Sequence, residues 1–297
     1  MKIVTTGSLG HIGKPLVEKL LKNKHEVTVI SSSSAKQKDI EKLGATAAIG
    51  SLEDVNFLTA TLKGADAFYC MVPPNNYFDQ DLDLLAYYRT LGTNYAQAIK
   101  RSEVKHVVNL SSIGAHLEKG NGILRGAHDV EQILNKLPEK VSVVHMRPTS
   151  FYYNLYGYTD MIKTEGVIAA NYGGEDLIPW VSPFDIASAI AEEITSQKTE
   201  RKVRYVASED LTGTETAKIL GIAIEKPDLK WILISDEETL NGLKAIGMNP
   251  DIAAGLVEMY AGLHSGLLSE DYRRNKPAIM GQVKLKDFAK EFAASYN

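Results

Sequence analysis

The sequence predicts an α/β fold, a doubly wound parallel sheet with a smaller C-terminal lobe. Three observations carry this. Short apolar, β-branched runs alternate with segments of helical period through the first half of the chain. The runs are apolar throughout instead of alternating, as strands are when helices cover both faces of a sheet. A glycine-rich turn joins the first run to the first helix, the usual start of a right-handed crossover unit.

Taken in order, Ile3 to Thr6 reads as a buried strand and Ile12 to Lys22 as a helix, with Leu16, Val17, Leu20 and Leu21 at helical spacing. Glu26 to Ile30 is the second strand, Lys36 to Leu43 a short helix ended at Gly44, and Thr46 to Ile49 the third strand. A helix over 52–62 precedes a fourth strand at Asp66 to Val72, which Pro73-Pro74 stops. A long helix over 81–101, a strand at Val104 to Leu110, a helix over 129–137 and a strand at Val141 to Met146 complete residues 1–150. Beyond Pro148 the alternation loosens into a second region, 151–297. It opens on an aromatic cluster (Phe151, Tyr152, Tyr153, Tyr156, Tyr158) and continues with a helix at Phe184 to Thr195 and a strand at Lys202 to Ala207. Helices over 214–220, 237–246 and 252–263 and a strand near 230–234 follow. Some of these strands are expected to extend the same sheet, so the smaller lobe is partly interleaved with it.

Composition narrows the function classes. Of 297 residues, 33 are Lys or Arg and 37 Asp or Glu, a formal net charge of −4. That balance opposes a broad nucleic-acid footprint, which needs clustered positive charge. Cys70 stands alone, so no intrachain disulfide forms, in keeping with a reducing cytoplasm. No apolar run approaches the roughly 18 residues of a membrane span, and the first strand leaves no room for a targeting segment before it. A soluble cytoplasmic protein is expected.

The turn Gly7-Ser8-Leu9-Gly10-His11-Ile12-Gly13 follows a strand directly and opens an amphipathic helix. Gly7 lets the chain turn, Gly10 admits a pyrophosphate to the backbone, and Gly13 lets the helix pack close to the sheet. The free N–H groups of the helix then face the phosphates. This is the dinucleotide site of a Rossmann-type sheet. At the end of the second strand a carboxylate would bond the ribose 2′-hydroxyl and select NAD. Here Ser31-Ser32-Ser33-Ser34 stand there, with Lys36 and Lys38 just beyond, so NADP is favoured over NAD. The same lysines also fit an ordinary solvated helix surface. The remaining strand ends, where ligands bind in such sheets, are Gly50-Ser51-Leu52, Met71-Val72-Pro73, Ser111-Ser112 and Pro148-Thr149-Ser150.

These strand ends, together with ADAFYCMVPP at 65–74, VKHVVNLSSIGA at 104–115, RPTSFYYN at 147–154 and WVSPFDIASAI at 180–190, resemble the NmrA-like group of atypical short-chain dehydrogenases/reductases. The resemblance covers essentially the whole chain. It implies an NAD(P)H-dependent reductase of a quinone-like or other conjugated small-molecule acceptor. The alternative within the same group is a non-catalytic redox sensor acting through a protein partner. A homodimer or a regulatory partner is left open. Two departures stand out. The family often carries Asp where this chain has Ser51. Active short-chain reductases place Tyr-x-x-x-Lys after the fifth strand as proton donor and ribose anchor, whereas no tyrosine lies between Ser112 and Val141. The one such pattern, Tyr272 to Lys276, falls far beyond the sheet.

The catalytic candidates are therefore Ser112, at the family's serine position, and His128, near the position of the missing lysine. Ser112 equally fits strand-end hydrogen bonding, and His128 equally fits a histidine at the start of a helix. Phe151, Tyr152, Tyr153 and Asn154 are the candidate substrate pocket, although such a cluster also suits packing. Arg147 is expected to pair with an internal acid, and Asp185 to buttress the pocket as its family counterpart does. The seven histidines lack any metal-ligand spacing, so no metal is expected, and no GxSxG points to serine hydrolysis.

Overall fold

The computed structural model of the chain describes residues 1–196, 198 and 200–296. The first region runs β1 (Lys2–Thr5), α1 (Gly13–Lys22), β2 (Glu26–Ser31), α2 (Gln37–Lys42), β3 (Thr46–Ile49), α3 (Val55–Leu62), β4 (Ala67–Cys70), α4 (Leu84–Ser102), β5 (His106–Leu110), α5 (Arg125–Asn135) and β6 (Ser142–Pro148). It continues through β7 (Ser150–Phe151), α6 (Thr159–Glu165), β8 (Val167–Ala170), β9 (Leu177–Val181), α7 (Pro183–Ile194) and β10 (Lys202–Val206). The last third comprises β11 (Glu209–Thr212), α8 (Gly213–Ala223), β12 (Lys230–Leu233), α9 (Asp236–Ala245), α10 (Pro250–His264), α11 (Glu270–Arg274) and α12 (Leu285–Tyr296).

Seven strands form one sheet in the order β10-β6-β5-β4-β1-β2-β3. Every pairing in it is parallel. The order in which strands are added reverses between β1 and β4, and ligands bind at such a switch point, beyond the carboxyl ends of the strands. The side chains explain both layers. On one face Val4, Phe68, Cys70, Val107 and Val143 pack under α3, α4 and α5. On the other, Ile3, Val27, Val29, Tyr69 and Val108 pack under α1 and α7. Of the predicted stripe of α1, Leu16, Val17 and Leu20 are fully buried there, each contributing about 1.5–3 kcal/mol, while Leu21 packs half-buried against the same core.

The second region has its own core of Tyr152, Tyr172, Trp180, Trp231, Phe288 and Phe292. It is held by a three-stranded sheet, β11-β9-β7, and a two-stranded sheet, β12-β8. Helix α7 and strand β10, by contrast, return to the main sheet. Helix starts follow side-chain caps more closely than hydrophobic spacing. Asp54 accepts from the Asn56 and Phe57 N–H groups, so α3 begins at Val55; Asp83 accepts from Ala86 N–H, so α4 begins at Leu84. Helix α5 is an exception: it starts four residues before the predicted 129 with no side-chain cap, and the Arg125–Asp129 pair at 2.8 Å adds support across its first turn. Among the described residues no helix is long and apolar enough to cross a membrane.

Candidate functional site

The turn between β1 and α1 is shaped by close backbone approach. Gly7 has φ +85° and Ser8, though not glycine, φ +51°. A Cβ on Gly13 would press into the Ser8 carbonyl oxygen and stand 3.3 Å from its carbon. Helix α1 therefore begins directly against the turn, which only a glycine allows. Its N-cap residue, Ile12, makes no side-chain cap, and no acid occupies the first turn. Lys14 N–H already bonds Gly10 O at 3.0 Å and Pro15 has no N–H, so among the described residues the backbone donors open at this end are those of Ile12 and Gly13, beside the positive end of the helix dipole, which suits an anion.

Two cavities meet at this turn, sharing Gly7 and Pro73. The smaller, about 280 Å³, lies over the β1–β2–β3 half and is lined by Gly7, Ser8, Ser31, Ser32, Ser51, Leu52, Glu53, Tyr87 and Leu91, among others. The Ser31 hydroxyl is held inside the loop: Ser8 Oγ donates to it at 3.2 Å and Ser33 N–H at 3.2 Å. Ser32 is exposed at the rim, and Lys36 and Lys38 stand exposed beyond it. The larger cavity, about 470 Å³, lies over the carboxyl ends of β1, β4 and β5. Its walls are apolar and aromatic, with Ile12, Met71, Val72, Tyr77, Tyr88, Leu110, Ile123, Leu124 and Phe151. At its mouth the His11 ring lies against Tyr153, 3.9 Å between centroids and tilted by 40°, bridging the glycine turn and the second region. Tyr156 supports Tyr153 edge-on at 5.3 Å.

Most of the predicted positions converge on these cavities. Gly10, His11, Ile12, Gly13, Met71, Val72, Pro73, Ser111, Ser112, Phe151, Tyr153 and Asn154 line the larger one. Others do not, for identifiable reasons. Leu9 packs against the α1 core. Gly50 makes room for the Phe57 ring, which a Cβ would strike. Pro148 lies within β6, and Thr149 is buried with its N–H bonded to Val206 O at 3.1 Å. Tyr152 is fully buried in the core of the second region, donating to Glu209 at 2.6 Å. His128 is buried on α5 with Nδ1 against Ala115 O at 2.9 Å. Its neighbour Ala127 lines the cavity instead, one residue and about 100° earlier around the helix. Sequence reasoning missed Tyr69, Tyr77, Tyr88, Leu110, Ile123, Leu124 and Glu53. The proline stop followed by Tyr77, Tyr87 and Tyr88 was a usable signal for three of the lining aromatics.

Beneath the larger cavity sits a buried polar network. Ser111 Oγ donates to Glu131 at 2.5 Å. Arg147 grips Glu131 through Nε and a terminal nitrogen at 2.9 and 2.6 Å, and reaches Asp271 at 3.1 Å. Tyr205 donates to the same Asp271 at 2.6 Å. Burial by itself would lower the Arg147 guanidinium, but the hydrogen bonds and charge of Glu131 outweigh it and hold the group above its ordinary value. This is the internal acid expected for Arg147, and the network fixes the Ser111 proton away from the cavity. Asp185 ties down a neighbouring loop, accepting from Gln282 N–H at 3.0 Å, Val283 N–H at 3.1 Å and Ser208 Oγ at 2.7 Å.

The walls of the larger cavity are braced from afar. Asn249, which caps α10, donates to Asp79 O at 3.0 Å while its N–H bonds Tyr77 O at 2.9 Å, holding the Tyr77 loop. A Cβ on Gly122 would collide with the Gly255 carbonyl, so the Ile123–Leu124 wall lies flush on α10. The site suits a dinucleotide: a helix end without a side-chain cap lies between a polar cavity and an apolar one. Gly10, Gly13 and the α1 N–H groups would hold the phosphates, and the two cavities the adenosine and nicotinamide halves.

Known proteins share this architecture over the full chain. The NADPH-dependent quinone oxidoreductase of Escherichia coli, solved with NADPH, superposes with a TM-score of 0.81 at 21% identity, covering 98% of this chain and 99% of that one. The triphenylmethane reductase of Citrobacter sp. does so with a TM-score of 0.78 at 19% identity, covering 99% and 100%. Among curated proteins, the NAD(P)H azoreductase of Xenophilus azovorans is 25% identical over 301 residues, 99% of each chain. The model of the NmrA-like family matches residues 1–263, and the chain belongs to that family.

Proposed function

We propose that this protein is an NAD(P)H-dependent oxidoreductase that reduces a flat, conjugated acceptor such as a quinone, with NADP(H) preferred over NAD(H). One observation carries the reading: a polar, serine-lined cavity and an apolar, aromatic one join at an uncapped helix N-terminus. The names of the azoreductase, quinone oxidoreductase and dye reductase relatives support the same class of acceptor. The bound cofactor supplies the hydride. The chain supplies position and dryness. Helix α1 and Gly10 anchor the phosphates, while Met71, Leu110 and Phe151 exclude water around the reacting carbon. His11 and Tyr153 offer flat faces at the mouth for a planar acceptor. Ser112, half-buried on the wall, is the hydroxyl placed to touch acceptor or nicotinamide. A conjugated acceptor whose reduced anion is stable needs little acid catalysis, so the chain tolerates the lack of a Tyr-x-x-x-Lys pair.

The NADP preference rests on Ser31 and Ser32 at the end of β2 and on the exposed Lys36 and Lys38 nearby. Cys70, buried on β4, supports a reducing compartment, the cytoplasm. A second reading, a sensor of the cofactor pool acting through a protein partner, draws on Ser111, whose proton is committed to Glu131 and is not available to a substrate. The two readings separate in one assay. Protein is mixed with NADPH and a panel of quinones and azo dyes, and the reduced-nicotinamide absorbance is followed. Acceptor-dependent and enzyme-dependent loss of absorbance is expected. Tight binding with no turnover on any acceptor would leave the sensor.

A further inference from the structure

Helix α5 brings no tyrosine to the larger cavity; the residue it turns there is Ala127. Beside Ala127, Gly126 leaves the helix surface bare, and the ring of Tyr88 from α4 fills the place. A Cβ on Gly126 would stand 2.5 Å from Tyr88 Cγ and 2.8 Å from its Cδ1. One turn further along both helices the approach is again close, with a Cβ on Gly92 falling 3.1 Å from Val130 Cγ2. The base of the Tyr88 ring is thus seated between two packed helices, next to a cavity residue. Tyr88 is half-buried and itself lines the larger cavity.

Its hydroxyl is uncommitted. Among the described residues Tyr88 Oη makes no hydrogen bond, yet it is not one of the buried side-chain polar atoms without a partner, which are Thr5 Oγ1, Tyr69 Oη, His116 Nδ1 and Asn171 Oδ1. The oxygen is therefore open to solvent, unlike that of Tyr69. Other hydroxyls around the cavity are engaged: Ser111 donates to Glu131, and Thr6 Oγ1 lies against the Tyr69 and Met71 carbonyls. Burial, reinforced by Tyr77 and Tyr87 nearby, pushes the Tyr88 phenol far above its ordinary range, so it is a donor and not a base.

We propose that Tyr88 is a catalytic residue whose hydroxyl donates a hydrogen bond to the carbonyl oxygen of the acceptor and stabilises the negative charge that builds there during reduction. The inference rests on the reductase reading above. A quinone gains a hydride, with its two electrons, from NADPH, which is left as NADP⁺, and a proton from solvent. The phenol keeps its own proton throughout. Helix α4 in this way supplies the donor that α5 lacks.

The test is Tyr88→Phe, which conserves the ring on Gly126 and removes only the hydroxyl. A lost hydrogen bond to a charged oxygen corresponds to about a tenfold to hundredfold loss of rate. The loss is expected in quinone kcat, with KM within about twofold of wild type, because the charge is present in the transition state and not in the bound quinone. NADPH affinity by fluorescence titration and the ligand-free Tm are expected to be unchanged, since no protein hydrogen bond is removed. The proposal is overturned if kcat stays within about twofold of wild type. It is also overturned if Tm or NADPH affinity falls in step with kcat, since the hydroxyl would then serve the fold. Wild-type protein that binds NADPH and reduces no quinone overturns the reductase reading itself, and this inference with it.

Discussion

Replacing Gly13 by alanine tests the geometry of the glycine turn with a single methyl group. Its Cβ would lie closer than 3.0 Å to the Ser8 carbonyl oxygen and 3.4 Å from the Gly7 carbonyl oxygen, both backbone atoms. No side chain can rotate away, so the turn or the start of α1 must shift. Overpacking of this kind costs about 1–3 kcal/mol. With unfolding entropy near 2.1 cal/mol/K per residue, that is a Tm loss of about 2–5 °C for a chain of this length. The binding effect is larger. The displaced groups here are the N–H donors for the phosphates, and losing a hydrogen bond to a charged group costs about 1.5–3 kcal/mol, roughly a tenfold to hundredfold loss of affinity. Gly44→Ala is the control: φ is +95° but nothing lies within 4 Å of the added atom, so it reports strain alone, away from the site. The expected pattern is a modest Tm loss in both variants and a collapse of NADPH affinity, by fluorescence titration, only in Gly13→Ala. Retention of wild-type affinity by Gly13→Ala would refute the assignment of this turn to the phosphates.

Other perturbations follow from the same geometry. Glu131→Ala leaves Arg147 buried with Asp271 on one edge only; a loss near the lower end of the 3–5 kcal/mol range for broken buried pairs is expected in urea denaturation, and an unchanged midpoint would show the pair to be dispensable. Ser32→Asp puts a carboxylate at the rim of the smaller cavity; NADPH affinity should fall about tenfold through charge repulsion while NADH affinity holds, and equal losses for both would place the 2′-phosphate elsewhere. His145 is 3% exposed, its Nδ1 taking the Asn109 amide at 3.1 Å and its Nε2 facing Asn135 Oδ1 at 3.1 Å. Burial lowers its pKa below the usual histidine value. On lowering the pH through about 6.5 the unfolded chain therefore takes up a proton that the folded one refuses, and stability falls by up to about 1.4 kcal/mol per pH unit from this group. His145→Gln should flatten the urea-midpoint slope between pH 7 and pH 5, and an unaltered slope would assign the titration elsewhere.

Residues whose environment is set locally were legible in the sequence. Strands β1 and β4 are largely apolar on both faces because helices cover both, and the first turn needs glycine at fixed places, so composition and spacing alone locate β1, α1 and the turn between them. What escaped is set by the third dimension. Helical phase decides that Ala127 and not His128 reaches the cavity. Where the two-residue strand β7 passes into a 3₁₀ helix over Tyr152–Tyr158, Phe151 and Tyr153 face the cavity and Tyr152 enters the core of the second region. Ile123, Leu124 and Tyr77 enter the site only because α10, more than a hundred residues later, clamps their loops.

The central claim is that the two cavities joined at Gly7 and Pro73 hold one nicotinamide dinucleotide. Equilibrium titration of the purified protein with NADPH and then NADH, followed by nucleotide fluorescence, tests it most directly. The account predicts saturable binding of one nucleotide per chain, tighter for NADPH, and weakened at least tenfold in Gly13→Ala. Absence of binding by either nucleotide would contradict it.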